Sequence, residues 1–166
     1  KAIKLSFKIA SMKTLSTKTI LLTSATVCMG LLAYALYAQH VQGLAPCPLC
    51  VLQRYAFLMV AVGCLVGAWN KQPKYGAAYG LIAALVGAGT ATHHLWVKAN
   101  PHTSCGIDPL ETALNKIWPA QWLTQMFYAD GLCSADHAPI FGLNIQQWSL
   151  VWFVIFAFYF RVFLHQ

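Results

Sequence analysis

The chain has 166 residues, 58% apolar and only 9% charged, with mean hydropathy +0.57 and a formal net charge of +7. Soluble domains carry about 25% charged residues, and one this poor in charge would expose large apolar patches and aggregate. A single integral-membrane domain, residues 1–166, is therefore expected, and no nucleic-acid partner, because the basic residues are strung along the chain rather than gathered on one folded face.

Residues 1–18 hold Lys1, Lys4, Lys8, Lys13 and Lys18 and read as a basic tail, with Met12 a candidate start. The first apolar run, Thr19 to Ala38, follows directly. Ala33-Tyr34-Ala35 resembles a signal-peptide cleavage site, but the run outlasts a usual signal core, which favours a retained span. Further runs cover 51–69, 75–97 and 147–165. Each is near the ~20 residues that cross a ~30 Å hydrocarbon core, and inside lipid such segments satisfy their backbones as helices. The expected fold is an all-α membrane protein, a four-transmembrane-helix bundle in contact with lipid.

Between the first two spans stands Cys47-Pro48-Leu49-Cys50. The spacing suits reversible disulfide chemistry, since one thiolate attacks while its neighbour closes the ring. Pro48 fits the first helical position. Cys47 then caps the second helix, where unpaired N–H groups and the macrodipole favour a thiolate. Arg54 is four residues past Cys50 and seven past Cys47, on the same helical face, and is the one charged side chain within that span. An ionisable residue at membrane depth is a functional candidate by default; the competing reading is an arginine that snorkels to the headgroups.

Lys71 and Lys74 punctuate the next connection, and His93 and His94 close the third span. The long stretch 98–146 carries all four acids, Asp108, Glu111, Asp130 and Asp136, together with Cys105 and Cys133. Within it, Leu114, Ile117, Trp118, Trp122, Met126 and Phe127 recur at mostly helical spacing around Pro119. That pattern suits a short interfacial helix or a small packed extramembrane cap. Lysine and arginine counts place both termini and the 70–74 connection in the cytoplasm. Both outer connections, and the pairs Cys47/Cys50 and Cys105/Cys133, then lie in the compartment where disulfides persist. Cys28 and Cys64 sit within spans and read as small apolar residues.

Cys105 and Cys133 are open to two readings, an inert structural disulfide or one half of a relay of mixed disulfides. A Cys₄ zinc site built from both pairs is a third possibility. Pro46-Cys47-Pro48-Leu49-Cys50 with Gln53-Arg54, His94-Leu95-Trp96 before Cys105-Gly106, and Phe127 to Cys133 followed by Phe141-Gly142-Leu143 and Trp148 resemble the bacterial DsbB-type disulfide bond formation proteins. The likeness covers roughly Thr19 to Arg161.

The resemblance implies a quinone-dependent protein-disulfide oxidoreductase of the bacterial inner membrane. Such a protein reoxidises a periplasmic thioredoxin-fold oxidase (DsbA-like) and passes its electrons to ubiquinone or menaquinone, the system held to keep the periplasm oxidising. It implies that Cys105 forms the mixed disulfide with that partner and that Cys133 pairs with Cys105. It further implies that Cys47 and Cys50 reduce the quinone, and that Arg54 and His94 line its site. Gln53 stands where some members carry an acid. No resident metal is expected.

Overall fold

The structure, a computed structural model, describes residues 17–70, 72–100, 107–133 and 139–165. Seven helices occur among them: α1 (Thr17–Val41), α2 (Pro48–Trp69), α3 (Pro73–Ala99), α4 (Ile107–Lys116), α5 (Trp118–Trp122), α6 (Thr124–Phe127) and α7 (Ile145–Leu164). Helices α1, α2, α3 and α7 are each long and apolar enough to cross a membrane.

All four begin before the apolar runs do, and for three of them a first-turn proline or a cap marks the start. Pro48 and Pro73 stand in the first turns of α2 and α3, where the missing N–H costs nothing. Asn144 caps α7 in a reciprocal box with Gln147, whose Oε1 accepts the Asn144 N–H at 2.8 Å. Such a cap contributes about 1 kcal/mol.

Between helices in lipid the hydrophobic effect is weak, so close van der Waals packing over small residues has to hold them. The bundle shows this at two seams. Where α2 meets α3, a Cβ on Gly67 would stand 2.6 Å from Gly76 Cα, so only glycine lets the backbones approach. Where α3 meets α7, Phe160 fills the space a Cβ on Gly80 would take, and Phe153 does the same at Gly87. Phe153 also stacks on Phe57 of α2 at 4.0 Å. Helix α1 packs along α2 and α7 along α3, but α1 and α7 barely meet. That open seam bears on the site. Large apolar side chains such as Ile82, Leu85, Phe158 and Val154 face outward, as lipid contact requires. Exposed Trp69 and Tyr75 mark one end of the bundle, exposed Trp96, Trp118 and Trp122 the other, the pattern of interfacial belts.

The expected interfacial helix around Pro119 is three short pieces. Ile117 adopts an extended backbone ahead of Pro119, and Leu123 breaks α5 from α6. The pieces rest on α2 through Tyr55, stacked on Phe127 at 4.3 Å. The Asn115 side chain accepts from Ala129 N at 2.9 Å and donates to Ala129 O at 2.8 Å, closing the cap on itself.

Candidate active site

Two loops bring the cysteines together. Pro46 O accepts from Asp130 N at 3.2 Å and Gly131 N at 3.1 Å. This contact requires glycine at 131, since a Cβ there would collide with Ala45 O. Cys47 and Cys133 share one small apolar cluster as a result. Cys47 Sγ, a ring nitrogen of His94 and Cys133 Sγ lie within 4.8 Å of one another.

Cys47 caps α2 in the expected way, its Sγ accepting from Cys50 N at 3.2 Å. Its thiol donates to Cys50 Sγ at 2.8 Å, and both cysteines are free. Helix-end N–H groups favour a thiolate, as the sequence suggests, but they are outweighed. The hydrogen bond to Cys50, then burial, pushes the Cys47 thiol up from its ordinary value. Cys47 is thus the proton holder of the pair. Cys133 is disulfide-bonded, and Cys105 lies outside the described residues.

His94 is fully buried. Its Nε2 lies 3.2 Å from Cys133 O and 3.7 Å from Cys47 Sγ, and its Nδ1 lies 3.3 Å from Gln53 Nε2. Arg54 does not snorkel. Its Nη1 donates to Gln39 Oε1 and Met126 O, both at 2.7 Å, and Nη2 donates to Ala35 O at 3.4 Å. One guanidinium therefore ties α1, α2 and α6 together.

A cleft of about 70 Å³ is lined by Cys50, Gln53, Arg54 and Gln146 with apolar walls from Leu31, Leu32 and Phe57, and neither Cys47 nor Cys133 lines it. It lies at the open α1/α7 seam and adjoins a larger apolar groove of about 250 Å³, which shares Leu31, Ala35, Phe57 and Ile145 and extends past Tyr34 and Trp152. Gln146 is buried, and its Oε1 has no hydrogen-bond partner.

Residues 17–163 match the family model described as Disulfide bond formation protein DsbB. The chain belongs to the DsbB family. It is 49% identical over 146 residues to a Disulfide bond formation protein B of Herminiimonas arsenicoxydans, covering 87% of this chain and 92% of that protein. It is 43% identical over 143 residues to one of Ralstonia nicotianae, covering 86% and 90%. A third, of Burkholderia pseudomallei, is 42% identical over 144 residues, covering 83% of each. The protein is thus a multi-pass membrane protein of disulfide bond formation.

Within this DsbB-family chain the CxxC motif divides its two sulfurs. Cys47 turns toward Cys133, while Cys50 and Arg54 share the cleft. The resemblance implies a His94 that lines the acceptor site. The ring stands behind Gln53, against the sulfurs, and is not among the cleft-lining residues. A Cys₄ zinc site suits this geometry poorly, because Cys133 is in a disulfide and metal ligands are thiolates. Sequence reasoning passed over Gln39 and Gln146, and noted Gln53 only as standing where some DsbB-type proteins carry an acid. All three stand inside or at the mouth of apolar spans, where a polar side chain needs a partner.

Proposed function

We propose that this protein reoxidises a soluble thioredoxin-fold dithiol oxidase of DsbA type and passes the electrons to a membrane quinone, ubiquinone or menaquinone. The observation that carries the reading is the position of the CxxC motif, one sulfur facing Cys133 and the other lining a membrane-depth cleft beside Arg54.

The steps balance as thiol–disulfide exchange. A thiolate of the partner attacks a Cys105–Cys133 bond at Cys105, forming the mixed disulfide and releasing Cys133 as thiolate. Cys133 then attacks Cys47 of a Cys47–Cys50 disulfide, and Cys50 leaves as thiolate. Attack falls on Cys47 because that sulfur is the one that lies close to Cys133, and Cys50 is then the departing thiolate. The partner's second thiolate closes its own disulfide and frees Cys105. Cys105 restores its bond to Cys133 and releases Cys47, so that both electrons now reside on Cys47 and Cys50.

The residues at the cleft fit a quinone. Apolar walls suit the ring, the adjoining groove suits a prenyl tail, the Arg54 cation suits developing negative charge, and the unpartnered Gln146 amide oxygen suits a hydroxyl. When bound, a quinone supplies a two-electron, two-proton acceptor that returns Cys47 and Cys50 to the disulfide. Arg54 would orient that acceptor and Cys50 would face it across the cleft. Lysine distribution places this end of the bundle on the periplasmic side of the inner membrane, with both termini cytoplasmic.

The test is quinone reduction by a reduced DsbA-like protein, with Cys47→Ser and Cys105→Ser variants. Turnover is lost in both, and removal of Cys133 traps the partner on Cys105. Retained turnover in Cys47→Ser ends the reading.

A further inference from the structure

Among the groups around the sulfurs, Gln53 has no role in the exchange as written, yet it is 4% exposed inside a membrane helix and hydrogen-bonded to His94. We infer that Gln53 fixes the tautomer of His94, so that the ring offers an N–H, and not a lone pair, to the gap between Cys47 and Cys133.

The argument begins at a backbone carbonyl. Cys133 O, 3.2 Å from His94 Nε2, can only accept, so Nε2 carries a hydrogen. A neutral imidazole has one N–H, which leaves Nδ1 as a lone pair in need of a donor. The atom facing it at 3.3 Å is Gln53 Nε2, an amide nitrogen that can only donate. The two contacts demand the same tautomer and so reinforce each other. His94 is 0% exposed, and water has no access to replace either partner. An unmade hydrogen bond in such a place costs the full desolvation of the group.

The consequence lies with the sulfurs. The Nε2–H is shared between Cys133 O and Cys47 Sγ, the latter at 3.7 Å. It is placed to donate to Cys47 as that sulfur departs, before Cys47 takes up the proton it holds in the reduced pair, and it holds the Cys133 backbone so that its Sγ stays close to Cys47. In this tautomer His94 is a donor and a clamp. Gln53 acts through His94 and is a positioning residue. That consequence rests on the thiol-exchange reading above, whereas the tautomer itself does not.

Nitrogen NMR of the full-length protein, labelled in its histidine rings, reads the tautomer directly, with the His94 signals assigned by their loss in His94→Asn. The wild-type ring is expected to be protonated at Nε2 and bare at Nδ1. In Gln53→Leu a second tautomer appears, and electron transfer from the Cys105/Cys133 pair to Cys47/Cys50, followed by alkylation in quinone-free protein, slows about five- to tenfold, the worth of one buried hydrogen bond. A merely structural amide would lower thermal stability and leave the tautomer alone. A wild-type ring protonated at Nδ1, or a His94 spectrum unchanged in Gln53→Leu, overturns the inference. Failure of the wild type to reduce quinone while its ring has the expected form removes the functional reading and leaves the tautomer standing.

Discussion

Cys47 and Cys64 lie 17 residues apart on one helix and its cap, both are almost wholly buried, and both are free thiols. Their surroundings share little else. Cys64 packs with Leu21, Cys28 and Val60 in the apolar core. Cys47 has a helix-end N–H, a second sulfur at 2.8 Å and a histidine nitrogen at 3.7 Å. Burial is common to both, so burial does not make a cysteine a redox group. What differs is the supply of donors to a thiolate and of a partner sulfur within reach.

The contrast is broken most severely by removing one sulfur at each place. Cys47→Ser is expected to lower quinone reduction by about a thousandfold or more, as loss of a reacting nucleophile does. Cys64→Ala is expected to keep turnover within about twofold and to lower thermal stability by about 1 kcal/mol for the small cavity it leaves. A folded Cys64→Ala protein without turnover would show that the deep cysteine also carries electrons.

The next largest effect is expected where the two loops touch. Gly131→Val places a side chain against Ala45 O and separates Cys133 from Cys47. A displacement of about 1 Å costs on the order of a hundredfold in a proximity-dependent step. Rapid-quench alkylation should show slow exchange between the pairs, while Cys47/Cys50 alone is still oxidised by added quinone at its normal rate. If both half-reactions slow equally, the loop contact serves folding and not alignment.

Much of this contrast was legible in the sequence. Four apolar runs, the Pro48 start of α2 and the face shared by Cys50 and Arg54 follow from hydropathy, capping and helical period. Three features were not. The break of the outer helix at Ile117 and Leu123 depends on how the cap settles on Tyr55. The contact of Gly131 with Ala45 joins loops some 85 residues apart, a pairing no local period encodes. The split of Cys47 from Cys50 depends on the open α1/α7 seam, a matter of how whole helices pack, to which glycines of α3 contribute by drawing α7 close.

Arg54 sharpens the difference from the other direction, since the deep core has no charge at all. Arg54→Met removes two hydrogen bonds at 2.7 Å, each worth about 1.5–3 kcal/mol when one partner is charged. The melting temperature should fall, and the KM for quinone should rise about tenfold with a smaller change in kcat. A fall in stability with unchanged KM would leave Arg54 as a tie between helices and nothing more.

The smallest expected effect is the most discriminating, because its two parts have opposite sign. Gln146 Oε1 is buried without a partner, a state that costs about 1–3 kcal/mol. Gln146→Leu removes that penalty, so the protein without quinone should melt higher. If a ring hydroxyl is what the amide serves, the same substitution should weaken binding of the reduced quinone about fivefold, the worth of one hydrogen bond. Equilibrium binding and thermal unfolding on the same preparation test both halves. No substitution at the tightly packed end behaves this way: Gly67→Ala pushes against Gly76 and should lower stability with no effect on quinone affinity. A Gln146→Leu protein that gains stability and keeps its affinity would mean that the amide is strained for some reason other than the acceptor, and the cleft would lose one of the features that fit it to a quinone.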